Sequence, residues 1–250
     1  MDDRDPTVDD FLDATVDVDD PAVPALLRGG RIEVIGRLQW SSNATFLVDV
    51  TEDDQRCQAI YKPERGERPL HDFPPGLWRR EIAAHRLSAE LGWDLVPPTE
   101  GRDGPLGPGS LQYFVPSRFD EHYFSLRDRG GFDAVFRRLC AFDVVANNAD
   151  RKGGHVLLGD DDRIWAIDHG LSFHRDLKLR TVIWDFAGDA LDADTADDLH
   201  AWTERSGQSE LGELLTTEEV EATVGRIHRL VGATRFPHDP TGRRIPWPLV

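Results

Sequence analysis

The stretch GHVLLGDDDRIWAIDHG, residues 154–170, constrains the fold more than any other part of this chain. Two short apolar runs, 156–158 and 164–167, flank Gly159-Asp160-Asp161-Asp162, so they read as an antiparallel β-hairpin. With the turn centred between 161 and 162, Leu158 falls opposite Trp165 and His155 opposite Asp168. His155 and Asp168 are thus expected together at the open end of the hairpin. Asp150 lies just upstream, in the polar loop ANNADRKGG. Two acids and an imidazole at one edge suit a divalent cation or a proton transfer.

The rest of the chain orders itself around that hairpin. RIEVIGRLQW and ATFLVDV read as strands joined by a polar turn, Ser41-Ser42-Asn43, and CQAIYKP reads as a third strand ended by Pro63. A loop, 63–76, leads to LWRREIAAHRLSAELGW, where Ala83, Ala84, Leu87 and Leu91 share a helical face with Glu81 beside it. VPPTEGRDGPLGPG reads as loop and SLQYFV as a short strand before Pro116. Beyond it helices dominate. Phe132, Val135, Phe136 and Leu139 recur at helical spacing, and Thr216 with Glu219 forms a capping box before a stripe of Val220, Val224, Ile227 and Val231. The expected class is α+β and bilobal: an acidic flexible tail over 1–28, a β-rich lobe with one helix over 29–115, and a helical lobe carrying the hairpin over 116–250.

Charge narrows the partners. The net charge of -17 argues against nucleic acid and against stable association with an anionic membrane. Part of it is local, because residues 1–25 hold nine aspartates and one arginine; a short helix near Phe11 and Leu12 is the only order expected there. No run of eighteen apolar residues exists, the first residues are acidic where a signal peptide would be basic, and the two cysteines, Cys57 and Cys140, sit in apolar contexts. A cytoplasmic location is expected. Of the 29 basic residues only Lys62, Lys152 and Lys178 are lysine, so a lysine here reads as a chemical choice of a compact ammonium.

The series VVANNADRKGGHVLLGDDDRIWAIDHGLSFH resembles the catalytic and metal-binding loops of the phosphatidylinositol 3-/4-kinase superfamily. AIDHGLSF is most similar to the type II phosphatidylinositol 4-kinases, and more distantly to HipA-like kinases. The resemblance implies a protein-kinase-like bilobal fold and a phosphotransferase using ATP with Mg2+ or Mn2+. It puts Asp150 at the catalytic acid and Asp168 at a metal-binding aspartate. His155 falls where that superfamily has a metal-binding asparagine. Upstream, phosphoryl transfer needs a lysine on the phosphates held by a helical glutamate, and Lys62 with Glu81 meets that order. Ser41, Ser42 and Asn43 occupy the phosphate-covering turn, although no glycine-rich loop is present. Gln112, Tyr113, Phe114 and Val115 occupy the adenine-holding strand.

His155 breaks the pattern, because an imidazole is a softer ligand than an amide oxygen and favours Mn2+. Asn148 is the neighbour that could take its place. The departure keeps open a nucleotide-binding pseudokinase, and nucleotidyl transfer is a variant within the same fold. Lys152, Arg175, Lys178 and Arg180 form a cationic set able to hold an anionic acceptor, a small molecule or protein more than a lipid. A metallohydrolase built on His155, Asp168, His169 and His174 is the third class.

Overall fold

The computed structural model describes residues 16–38, 41 and 43–250. The stretch 1–15, with the helix expected near Phe11 and Leu12, lies outside the described residues, as does Ser42. Among those described, the chain forms seven α-helices and seven strands and divides into two compact units. One comprises the residues up to Ile82 with Pro97–Val115. The other comprises Ala83–Val96 and Pro116–Val250.

In the first unit β1 (Arg31–Leu38), β2 (Thr45–Glu52) and β3 (Gln55–Pro63) form an antiparallel meander. β5 (Gly107–Tyr113) pairs with β3, and β4 (Thr99–Gly104) pairs with β5, giving the order β1-β2-β3-β5-β4. Phe46, Leu47 and Val48 of β2 are buried consecutively instead of alternately, as a strand covered on both faces requires. Part of that cover is α1 (Val23–Gly29), which packs on β2, β3, β4 and β5.

This helix corrects the expectation of a tail over 1–28. Val23, Leu26 and Leu27 are fully buried, so three apolar side chains at helical spacing prevail over the acidic composition around them. Arg102 closes the end of α1 by donating to the carbonyls of Leu27 and Gly30.

β4 is the second correction, because 96–109 reads as loop from its glycines and prolines. Those glycines serve close approach. A Cβ on Gly101 would lie 2.7 Å from Ile82 Cδ1, and one on Gly109 would lie 2.5 Å from the Lys62 carbonyl oxygen.

The second unit is built on α4 (Asp133–Ala146), whose Phe136, Leu139, Cys140, Ala141, Phe142, Val145 and Ala146 are buried nearly all round. It forms one core with α5 (Ala193–Glu204), α7 (Thr217–Ala233) and a hairpin of β6 (Val156–Leu158) and β7 (Ile164–Ala166). The short helices α3 (Tyr123–Arg129) and α6 (Leu211–Leu214) complete it. The division falls inside α2 (Leu77–Glu90), because Ala83, Ala84, Leu87 and Leu91 join this core. The Thr216–Glu219 capping box forms as expected. The buried face of α7 is centred on Thr223, Ile227 and Leu230, with Val220, Val224 and Val231 at its margins.

The hairpin register differs by one residue from expectation: Val156 pairs with Ala166, Leu157 with Trp165 and Leu158 with Ile164. Gly159 donates to the Arg163 carbonyl across a three-residue loop, with Asp162 left-handed at φ 61°. An odd loop moves the centre of pairing onto Asp161, as a type I turn followed by a left-handed residue does.

His85 of α2 carries the first testable consequence. Its Nδ1 faces the Val96 carbonyl at 3.2 Å, and burial, with the Arg86 charge, lowers its pKa from 6.5 to about 4. The folded ring stays neutral while the unfolded one protonates, so between those values the unfolded chain binds the extra proton. Stability is therefore lost as pH falls through that window, by at most about 3 kcal/mol. A His85→Gln variant should lose correspondingly less between pH 7.5 and pH 4.5 in urea melts. Equal losses in the two proteins would show that His85 is not the group responsible.

Candidate active site

In the first unit, β3 delivers Lys62 beside Ser110 of β5, and α2 delivers Glu81. Lys62 Nζ lies 2.5 Å from Glu81 Oε1, with the glutamate side chain buried and the lysine side chain about one-fifth exposed. The expected lysine–glutamate pair is therefore formed. Gly101 helps to set it, since the absent side chain lets Trp78 and Ile82 of α2 rest on β4.

Two side chains of the stretch between β1 and β2 are engaged. Ser41 Oγ and Thr45 Oγ1 are 2.8 Å apart, and Asn43 Oδ1 accepts from the Arg68 N–H. On the adenine-strand candidate, Gln112 donates to Thr99, Tyr113 donates to the Val16 carbonyl, and the Phe114 N–H bonds to Gln58. Three of those four residues are thus engaged in holding the sheet, and Val115 is buried.

In the second unit, α4 ends at Asn147, left-handed at φ 55°, and the chain turns into the loop that presents Asp150. Burial pushes the Asp150 carboxyl above the usual carboxylate range, and the charge of Asp168 adds to this; Lys152 and Arg180 oppose it. Lys152 Nζ lies 3.2 Å from Asp150 Oδ2. A carboxylate raised in this way is a better base than a free one.

Asp168 follows β7 in a left-handed conformation, φ 61°, and its half-exposed carboxylate faces His155 Nε2 at 3.4 Å. The two meet despite the shifted register, because a short 3-10 turn over Gly153–His155 carries the imidazole toward the rim. Left-handed aspartates outside tight turns cost free energy and tend to mark sites where a side chain must be aimed.

Asn148, the expected alternative ligand, lies directly beneath Asp150. It is fully buried, its Oδ1 accepts from the Asp150 N–H at 2.9 Å, and its amide donates to Asp143. It shapes the loop under Asp150. Among the cationic candidates, Lys152 and Arg180 act on Asp150, whereas the charge of Arg175 acts on Glu218 of α7. The backbone N–H of Lys178 is held by Asn147 Oδ1.

The metallohydrolase set does not assemble. His169 is fully buried with Nε2 2.6 Å from an Arg151 nitrogen, and no group of three or more His, Cys, Asp or Glu among the described residues could hold a metal. Asp168 and His155 offer two donors. That set fits a cation which completes its shell with phosphate oxygens and water, as Mg2+ and Mn2+ do.

Several organising residues escaped the sequence reading. Arg151, fully buried, is bidentate on Asp143 of α4 and donates to the carbonyls of Ile167 and His155. Thr181 also donates to Asp143. Asn147 donates to the carbonyls of His174 and Asp176. The available signal was Asp143 itself, a lone acid in the apolar run LCAFDVVA.

No family model matches this chain. Protein Rv2133c of Mycobacterium tuberculosis is 37% identical over 262 residues, covering 90% of this chain and 94% of that one. Among solved structures, hydra Fam20 with sugar superposes with a TM-score of 0.61 at 14% identity, covering 88% of this chain and 89% of that one. The Golgi casein kinase with Mn/ADP bound gives 0.56 at 15% identity, over 91% and 80%. The Helicobacter pylori proinflammatory kinase CtkA gives 0.53 at 9% identity, over 84% and 94%. At these identities the likeness is one of fold, and the fold is an atypical-kinase one. No helix among the described residues is long and apolar enough to cross a membrane.

Proposed function

We propose that this chain, which belongs to the family of Protein Rv2133c of Mycobacterium tuberculosis, is an ATP- and divalent-metal-dependent phosphotransferase. The observation that carries this reading is the Lys62–Glu81 pair, joining a strand lysine to the next helix in a kinase-like fold. Lys62 takes the nucleotide phosphates, and Glu81 keeps its ammonium charged and aimed. The acceptor's hydroxyl oxygen bonds to the γ-phosphorus, the bond from that phosphorus to ADP breaks, and the hydroxyl proton passes to Asp150. Asp168 and His155 are the residues that would hold the cation. When bound, such a cation neutralises charge on the phosphate oxygens.

The Mn/ADP complex of the Golgi casein kinase supports the same pairing of nucleotide and metal here. The likeness of residues 144–174 to the phosphatidylinositol 3-/4-kinases belongs to this reading as well. Lys152 and Arg180, both acting on Asp150, favour an acceptor that carries an anionic group, a small molecule or a protein. A cytoplasmic location accords with Cys57 and Cys140 being free and buried.

Calorimetric titration with ATP, first with Mg2+ and then with Mn2+, tests the proposal on wild type and on Asp168→Ala, beside an ATP-consumption assay. Metal-dependent binding that the variant loses, with slow turnover, is the expected result; no binding with either cation would end the proposal. A second reading, a pseudokinase, is favoured by one feature. His155 stands at the asparagine position and its Nε2 already faces Asp168. Tight binding without ATP consumption would select it.

A further inference from the structure

The N-terminus of α2 follows directly on a glycine. Gly76, the residue before it, has no side chain to offer, and its φ of 88° suits glycine. The first turn has no acidic residue and carries Arg79 and Arg80, whose charges oppose the helix dipole there. A helix start leaves its first N–H groups without partners. Here Glu67, from the loop after β3, supplies both the acceptors and the negative charge. Its Oε2 accepts from the Gly76 N–H at 3.0 Å and its Oε1 from the Trp78 N–H at 2.8 Å.

The loop that carries Glu67 is itself tied to the β1–β2 turn. The Gly66 carbonyl accepts from the Ala44 N–H, and Asn43 Oδ1 accepts from the Arg68 N–H, each at 3.0 Å. A Cβ on Gly66 would lie 2.7 Å from that of Ala44, so the two segments touch backbone to backbone. Glu81 stands one helical turn beyond Leu77, on the same helix whose start Glu67 closes.

We infer that Glu67 is a positioning residue: by closing α2 it holds Glu81 against Lys62, and it ties that pair to the β1–β2 turn. Only the consequence for nucleotide binding rests on the phosphotransferase reading.

The three lysines make a direct test possible, since Lys152 and Lys178 lie in the other unit and serve as internal standards. The full chain would be labelled briefly with an amine-acylating reagent and the extent at each lysine read by mass spectrometry. In Glu67→Ala the reactivity of Lys62 should rise several-fold relative to both standards; Glu67→Gln, which keeps one acceptor, should fall between. Asn43→Ala, which cuts one of the two ties to the turn, should raise it less.

The second measurement is Mn–ADP affinity in a cycle of Glu67→Ala with Lys62→Met. The Glu67 effect should shrink to near zero once Lys62 is gone. All three lysines labelling faster together would mean general loosening and would overturn the inference, as would full additivity in the cycle. Selective exposure of Lys62 in a protein that binds no Mn–ADP would keep the positioning role and remove the phosphotransferase reading.

Discussion

An Asp143→Ala variant is expected to lose about 3–5 kcal/mol of stability, because it strands a fully buried guanidinium without its carboxylate. For a chain of this size that is a fall of roughly 10 °C in Tm. Asp143 accepts from Arg151 through both oxygens and also from Asn148 and Thr181. One deletion therefore releases α4, the Asp150 loop and the 180–183 segment together. A double variant, Asp143→Leu with Arg151→Met, should recover part of the stability, since it removes the stranded charge while Asn148, Thr181 and the carbonyls of Ile167 and His155 still lose partners. It should not recover nucleotide turnover. Arg151 also holds the carbonyls of Ile167 and His155, which flank the Asp168 rim. Thermal melts and turnover on the three proteins separate the two roles. A loss below about 1 kcal/mol for Asp143→Ala would show that the pair does not organise the loop.

The parts of this molecule that sequence made legible are those where one local pattern had one structural solution. The β1–β2–β3 meander, the apolar stripe of α2 and the Thr216 cap follow from period or capping chemistry, and the Lys62–Glu81 pair from what the kinase resemblance implies. The elements misread are those where long-range packing decides. Glycines in TEGRDG signal a turn until Ile82 and Trp78 are found pressing on Gly101. The helix Val23–Gly29 hides in an acidic context because only the sheet beneath it gives its three apolar side chains a place to go.

The site shows the same division. Asp150, Asp168 and His155 were legible as types of chemistry at an edge. Their exact pairing was not, because a three-residue loop shifted the register by one. A one-residue slip would normally send side chains to opposite faces. His155 escapes that rule by leaving the ladder in a 3-10 turn before it reaches Asp168. The buried scaffold below them, Asp143, Arg151 and Asn147, carried almost no local signal. Its roles exist mostly between segments 8 to 38 residues apart.

Backbone conformation adds an independent mark. Asn147, Asp168 and Phe173 all lie at positive φ within the span that follows α4. For Phe173, a bulky and fully buried side chain, that conformation has a cost which the surrounding contacts must outweigh. Its N–H donates to the Ala146 carbonyl, at the end of α4. The segment after Asp168 is thus held from the same helix end that holds the Asp150 loop.

The largest functional effect should come from Lys62→Met. If Lys62 bears on the nucleotide phosphates, removing its charge should lower kcat by about 10²–10³-fold, the scale set by loss of one preorganised donor. Mn–ADP affinity should fall as well, though by less than kcat, because the interaction is strongest where charge develops during transfer. Lys62→Arg should not rescue turnover fully: a planar fork cannot replace a compact ammonium beside Glu81. Glu81→Gln should reproduce much of the defect, and the double variant should be little worse than either single one, as expected of residues acting as a unit. Melting each protein guards against a trivial explanation, since Glu81 is buried and its partner's loss has a stability cost of its own. Turnover unchanged in Lys62→Met would remove the pair from catalysis and leave it as a strut between β3 and α2.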